Sequence, residues 1–357
     1  MENKMKKQFI ATLIVLVLSS LVFGQNSRMG TSSSTQLLVV PGARYLSGGG
    51  AVATATGMDA VFWNPAGLSM GENSVDVIFS NRQYIADIDN NFFGIATDLG
   101  DYKIGISVRT FTVGDIDETT VFFPDGTGQV FTPNFSVVGT TLSRKLSDNT
   151  SVGINANLVR ESFGRVSASG SSFDLGVQYK ELLGMSGLDI GFVLKNFGQP
   201  MKYGGEGLGI LANAQGGDRP VEFYKVDAAA FDMPFLFDMG LSYNIAGADL
   251  GLTYTSNYYA TDELKFSAGY TLAGLASVAV GVQSSGVAQD VERRAGSADY
   301  EVEAVEGSWY TNPSDGVSFG ASLDLSRFIG MNLSVDYSML PMGDFGTNSI
   351  VAMRLAY

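Results

Sequence analysis

Apolar and polar residues alternate with a period of two through fourteen segments of the chain: 73–80, 91–98, 103–112, 134–143, 150–162, 171–181, 187–196, 235–244, 248–258, 262–271, 275–284, 316–325, 330–339 and 347–357. Successive side chains of a β-strand point to opposite faces, so each segment predicts a strand with one apolar and one small or polar face. In 316–325, Val317, Phe319, Ala321, Leu323 and Leu325 oppose Ser318, Gly320, Ser322 and Asp324. In the last segment Val351, Met353, Leu355 and Tyr357 oppose Ala352, Arg354 and Ala356.

Alternation alone does not say which face meets solvent, because a soluble sandwich buries its apolar set. The connections decide it. Those after even-numbered strands are brief (99–102, 146–149, 182–186, 245–247, 273–274 and 326–329), whereas 113–133, 197–234 and 285–315 follow odd-numbered ones. Short turns at one rim and long loops at the other are the habit of transmembrane barrels. The expected fold is all-β: a transmembrane antiparallel barrel of about 14 strands, integral to a bacterial outer membrane. Its long loops are then extracellular, and both termini lie with the short turns in the periplasm.

The polar faces become the lumen, carrying Arg109, Asp174, Lys180, Asp189, Lys195, Asp238, Asp249, Asp324, Asp336 and Arg354. On the lipid face such charges would cost up to ~2–4 kcal/mol each near the midplane. They read either as a paired interior network or as a solute path, and Arg354 is expected to pair with an aspartate on a neighbouring strand such as Asp336. A barrel this wide is not filled by its own side chains. Residues 25–72 are exported with the barrel yet show little strand pattern, and are expected to fold as a plug or hatch entering from the periplasm. Within it Asp59, Ala60, Trp63, Asn64, Pro65, Ala66 and Gly67 form a motif. Trp63 is the expected packing anchor, Asn64-Pro65 a turn initiator, and Gly67 a residue of positive φ.

Residues 1–24 read as a signal peptide: Lys4, Lys6 and Lys7 precede the apolar stretch 9–23, with a cut expected ahead of Gln25. The domains are thus 1–24 signal peptide, 25–72 plug and 73–357 barrel. The chain is 45% hydrophobic and 16% charged, and its 44 glycines, 23 phenylalanines and 15 tyrosines suit a strand-rich wall with aromatic interfaces. A net charge of −14 argues against nucleic acid as a partner. With no Cys and no His, disulfides, the usual nucleophilic triads and His- or thiolate-based metal sites are excluded. No catalytic residue, cofactor or metal site is expected. The acidic loops, with Asp87, Asp89, Asp115, Asp117 and Glu118 and a cluster from Asp290 to Asp315, lack EF-hand spacing. They read as a lipopolysaccharide-facing surface, with weak Ca²⁺ binding the sharper alternative.

Asp59-Ala60, the aromatic pair that follows and Asn64-Pro65-Ala66-Gly67 resemble the amino-terminal signature of FadL-type outer-membrane proteins. Within these the chain is similar to the PorV/PorQ family of type IX secretion. Further matches are Pro124-Asp125-Gly126-Thr127-Gly128, Ser167-Ala168-Ser169-Gly170 before Phe173-Asp174, and Lys195-Asn196-Phe197-Gly198. The resemblance implies a barrel with an internal amino-terminal plug. FadL-like members pass hydrophobic solutes through a lateral opening; PorV-like members bind secreted proteins at the cell surface and escort them from the translocon.

The loop 197–234 and the residue that follows it carry Tyr203, Leu208, Phe223, Tyr224, Phe231 and Phe235, which fit a folded cap or an exposed patch docking a protein or greasy ligand. The expected function is a non-enzymatic accessory barrel binding exported cargo or the secretion translocon through its loops. The alternative is passive transport of a hydrophobic small molecule.

Overall fold

The computed structural model describes residues 28, 30–48, 50–85, 88–212, 222–285 and 315–357. Fourteen long strands form its wall: β1 Val75–Gln83, β2 Asp89–Leu99, β3 Tyr102–Thr112, β4 Asn134–Lys145, β5 Thr150–Phe163, β6 Val166–Tyr179, β7 Leu188–Gly198, β8 Leu236–Ile245, β9 Ala248–Asn257, β10 Glu263–Leu272, β11 Ala276–Ser285, β12 Gly316–Asp324, β13 Asn332–Pro341 and β14 Thr347–Ala356. Each pairs antiparallel with its neighbours in sequence, and β1 pairs with β14 from Asp76↔Ala356 to Gln83↔Ser349, which closes the barrel. Among the described residues no helix is long and apolar enough to cross a membrane.

The strands fall where the alternation puts them, with one notable difference. β6 starts at Val166, five residues before the expected 171. Ser167-Ala168-Ser169-Gly170 has weak intrinsic preference for a strand, but it pairs in register with 159–162 of β5 across a two-residue turn whose Gly164 has φ 55°. Most of the acidic loop 285–315 lies outside the described residues, as does Asp87.

The two faces of the wall are sorted inside out relative to a soluble protein. Outward-facing Phe79, Ile106, Leu158, Phe266 and Met353 are 47–66% exposed. Inward-facing Ser80, Thr141, Gln178 and Asp336 are wholly buried. An apolar exterior around a polar interior is stable where the surrounding solvent is lipid. Val351, Met353, Leu355 and Tyr357 stand on that exterior as expected.

The amino-terminal segment runs against the inward face. At the long-loop rim the Gly30 amide donates to the Tyr259 carbonyl (3.1 Å), and Arg28 lies 3.8 Å from Asp232. Descending, the Pro41 carbonyl accepts from the Ser80 hydroxyl and the Ala43 carbonyl from Ser338 (2.6 Å). Short helical turns at Ala51–Thr54, Gly57–Asp59, Ala60–Trp63 and Pro65–Met70 then cross the short-turn half before the chain enters β1. Tyr357 closes against Val75 at the short-turn rim (2.8 Å), but Arg28 lies at the opposite rim. Among the described residues the amino-terminal segment therefore runs from the long-loop rim to the short-turn rim and does not fold in from the short-turn mouth; the chain's first residues lie outside the described ones.

Glycines make the seat for this segment. Gly153 of β5 faces Gly176 of β6 across the sheet, and Gly191 of β7 faces Gly240 of β8. A Cβ at Gly153 would stand 2.3 Å from the Pro65 carbonyl carbon, and one at Gly191 would stand 2.2 Å from the Val52 oxygen. The wholly buried Asn64 amide donates to the Val52 carbonyl (2.8 Å) and to the Val177 carbonyl of the wall (3.0 Å), while its oxygen accepts from the Ala66 amide (3.2 Å). Gly67 does not carry the expected positive φ; it is required instead because a Cβ there would stand 1.9 Å from the Ala55 oxygen. The positive φ belongs to Gly57, at 62°.

Gly57 lies where the barrel closes. Arg354 of β14 donates through Nε and Nη2 to both carboxylate oxygens of Asp76 on β1 (2.7 and 2.6 Å), bridging the seam, and through Nη1 to Asp59 of the segment (3.3 Å). The Met58 amide donates to the same Asp76 (2.8 Å). Asp336, the expected partner of Arg354, pairs instead with Arg44 of the segment (3.1 Å). The wall's buried charges are thus satisfied partly by the chain they enclose.

Two expectations follow for the full chain, read by urea unfolding and by the heat-dependent gel mobility of the folded barrel. Gly153→Ala should destabilise by about 1–3 kcal/mol, whereas Gly204→Ala, with nothing within 4 Å of its Cβ, should stay within about 0.5 kcal/mol of the parent. Arg354→Gln strands two buried carboxylates and should cost about 3–5 kcal/mol; an effect no larger than that of Arg327→Gln at the exposed short-turn rim would contradict the seam's role.

Candidate functional site

One irregularity in the wall builds the site. Between β6 and β7 the register shifts around Asp174, opposite which stand both Lys195 and Asn196, the latter with φ 59°. This bulge turns two consecutive side chains inward, and Lys195 and Asn196 are 7% and 4% exposed. Asp174 holds the distortion by accepting from the Asn196 amide (2.7 Å), and its other oxygen accepts from Asn155 (2.8 Å) and Asn157 (3.1 Å).

Lys195 then reaches over the end of the segment's Ala60–Trp63 turn. Its ammonium pairs with Asp238 of β8 (2.9 Å) and lies 4.7 Å from the Phe62 ring centroid and 5.5 Å from that of Trp63. The two rings meet edge to face at 5.3 Å. Lys265 of β10 stands 5.7 Å from Trp63 and donates to the Leu46 carbonyl; the Arg109 guanidinium stands 5.5 Å from Phe62. Cations held against aromatic faces in a buried setting are attracted by the ring quadrupole. Trp63 is only half-buried, so it is not the expected anchor: Met58 and Leu68, wholly buried and clustered with Ile78 and Phe92, take that place.

Above this floor lies a cavity of about 610 Å³ inside the long-loop half of the barrel. Residues 35–40 of the segment form one wall, held by their backbone: Arg109 donates to the Val39 (2.9 Å) and Gln36 (3.3 Å) carbonyls, and Arg82 to that of Val40 (3.1 Å). Their apolar side chains, with Phe111, Phe135 and Leu340, face the space; Asp238, Thr253, Thr255, Glu263 and Lys265 line the other side. The dimensions and mixed lining are those of a site for a small organic molecule.

Of the charges expected in the lumen, Arg109, Asp174, Lys195, Asp238, Asp336 and Arg354 are buried there, but in two groups. The first four gather around the aromatic floor, and the last two secure the segment in the short-turn half. Asp324 lies half-exposed at the short-turn rim, where it accepts from the Ser326 amide (2.8 Å), outside both groups. Asp59, Ala60, Asn64, Pro65, Ala66 and Gly67 are buried in the segment as one packed unit.

The six loop residues separate as well. Tyr203 packs on a cluster of Leu37, Met201 and Met233 and donates to the buried Glu161 carboxylate; burial and that acceptor push its hydroxyl above the ordinary tyrosine value. Leu208 and Phe235 are half-buried, whereas Phe223, Tyr224 and Phe231 are exposed. Asp76, Arg44, Arg82, Glu263 and Lys265 were not among the expected site residues. Glu263 and Lys265 were within reach, since both occupy inward positions of a strand whose Phe266 points out; nothing local marks Arg44.

No protein-family model matches this chain, and no curated protein sequence matches it. Solved structures similar to it include the deltaS2 mutant of the TodX monoaromatic hydrocarbon channel, 14% identical over 88% of this chain and 98% of that one, with a TM-score of 0.55. The toluene transporter TbuX of Ralstonia pickettii is 12% identical over 90% of this chain and 100% of its own, with a TM-score of 0.52. The toluene transporter TodX of Pseudomonas putida is 12% identical over 88% and 97%, with a TM-score of 0.50. At these identities the likeness is one of fold: a closed barrel that spans nearly the whole length of each.

Proposed function

We propose that this chain is an outer-membrane barrel that binds a hydrophobic small molecule in its lumen and serves its passage, without catalysis. The observation that carries this reading is the cavity of about 610 Å³ between the apolar residues 37–40 and the wall. A molecule seated there is removed from water on most of its surface, at ~25 cal/mol per Å² of apolar area. The names of the similar structures, hydrocarbon channels and toluene transporters, agree with it. The apolar exterior and the loop lengths support a membrane-spanning placement with the long loops outside the cell.

The accessory role in protein export suggested by the resemblance to PorV/PorQ barrels has less behind it. Three of the six loop residues proposed to dock a partner, Tyr203, Leu208 and Phe235, are at least half-buried, and the similar solved structures named above are small-molecule channels or transporters. The transport reading is therefore preferred.

Its test is binding by the full-length Trp309→Phe chain in lipid nanodiscs, followed through Trp63 emission, with a panel running from toluene to larger apolar molecules. At least one should give a saturable change that is lost in Leu38→Phe/Val113→Phe, two substitutions that fill the cavity while the folded gel mobility is retained. No saturable change with any member, or one undiminished in the filled variant, would overturn the reading.

A further inference from the structure

We infer that the cavity selects an uncharged molecule bearing hydroxyl or amide groups along one face, in preference to a plain hydrocarbon or a carboxylate amphiphile; this presupposes the binding role proposed above. The basis is the division of the cavity into two unlike sides. Five consecutive strands, β7 to β11, deliver its polar side, and Leu236 is the one apolar strand residue they add to the lining. The opposite side is the apolar stretch 37–40 with Phe111, Phe135 and Leu340. A ligand in contact with both sides meets hydrogen-bonding groups along one edge and hydrocarbon along the other.

A plain hydrocarbon suits only half of such a space. It would lie against Thr253 and the linked Thr255–Asp238–Lys195 groups without making the further hydrogen bonds their oxygens can accept, and a polar surface covered by hydrocarbon weighs against binding.

A carboxylate is disfavoured for a different reason. The two ammonium groups on the polar side are already answered: Lys195 by Asp238 at 2.9 Å, and Lys265 by the Leu46 carbonyl with Glu263 two residues away on the same inward face. Asp238 is fixed in turn by the Thr255 hydroxyl (2.5 Å), and Glu263 accepts from Gln283 (3.1 Å). An arriving anion would have to displace Asp238 or lie beside Glu263. The Arg82 guanidinium, on the other side, is 3% exposed and turned to the Val40 carbonyl and the Tyr84 ring. What the polar side offers is hydroxyls and matched pairs, which receive a neutral donor–acceptor group.

The experiment is calorimetric titration of the full chain in nanodiscs with three probes. These are toluene, a long-chain saturated fatty acid, and a bile alcohol whose hydroxyls lie on one face of an apolar ring system. The bile alcohol should bind at least roughly tenfold more tightly than either of the others. Its advantage should shrink toward that of its deoxy analogue in Thr253→Val/Thr255→Val. Toluene or the fatty acid binding as tightly as the bile alcohol overturns the selectivity and leaves the binding role standing. Binding by none of the three overturns both.

Discussion

The structure depends on filling a lumen that its own wall cannot fill. Fourteen strands enclose more space than inward side chains of ordinary size can occupy, and those side chains are polar and charged. Left alone they would require either a water column or one another. The chain supplies a third solution, its own amino-terminal segment, and the wall is shaped to receive it. Inward positions at Gly153, Gly176, Gly191 and Gly240 carry no side chain, so backbone meets backbone. The segment in turn brings Arg44 to Asp336 and Asp59 to Arg354. Breaking either pair from one side would leave a buried charge, so wall and segment are stable only together.

The same constraint ties the fold to the site. The segment fills the short-turn half with backbone and stops short of filling the other. Where it stops, the aromatic pair Phe62 and Trp63 forms a floor, and the bulge around Asp174 is what aims Lys195 at it. A regular β6–β7 ladder would send one of Lys195 and Asn196 outward into the apolar exterior. The distortion keeps a charge out of lipid and places it beside Asp238 within the lumen.

What the sequence made legible was periodic, and what it hid was relational. A two-residue period identifies strands and assigns each side chain to a face, so the exterior at Val351, Met353 and Leu355 and the buried state of Arg354 could be read directly. Parity says nothing about which inward residue lies next to which. Arg354 was matched with Asp336 on the adjoining β13, but the stagger of the closing strands puts Asp76 of β1 against it and leaves Asp336 to Arg44. Trp63 suggested an anchor by its size; its place is decided by three cations around the rings and by open space above them. Gly67 suggested a turn by its type, and is instead a point of contact between two stretches of the segment. The cavity itself was invisible, since residues 37–40 and the polar side that faces them, from Lys195 onward, stand more than a hundred positions apart.

The segment is also held unequally along its length, and this bears on what a ligand can do. Residues 50–71 are locked by glycine contacts, by Asn64 and by charge pairs, each costing about 3–5 kcal/mol if one partner is lost. Residues 36–43 are held chiefly through carbonyl oxygens, by Arg82, Arg109, Ser80 and Ser338, contacts of the kind that contribute about 0.5–3 kcal/mol. These are hydrogen bonds to neutral carbonyls and not ion pairs, so movement there breaks no charge pair. The stretch that borders the cavity is therefore the more weakly retained part of the segment. The floor beneath it is the more strongly retained, and adaptation to a ligand is confined to the half of the barrel where space exists.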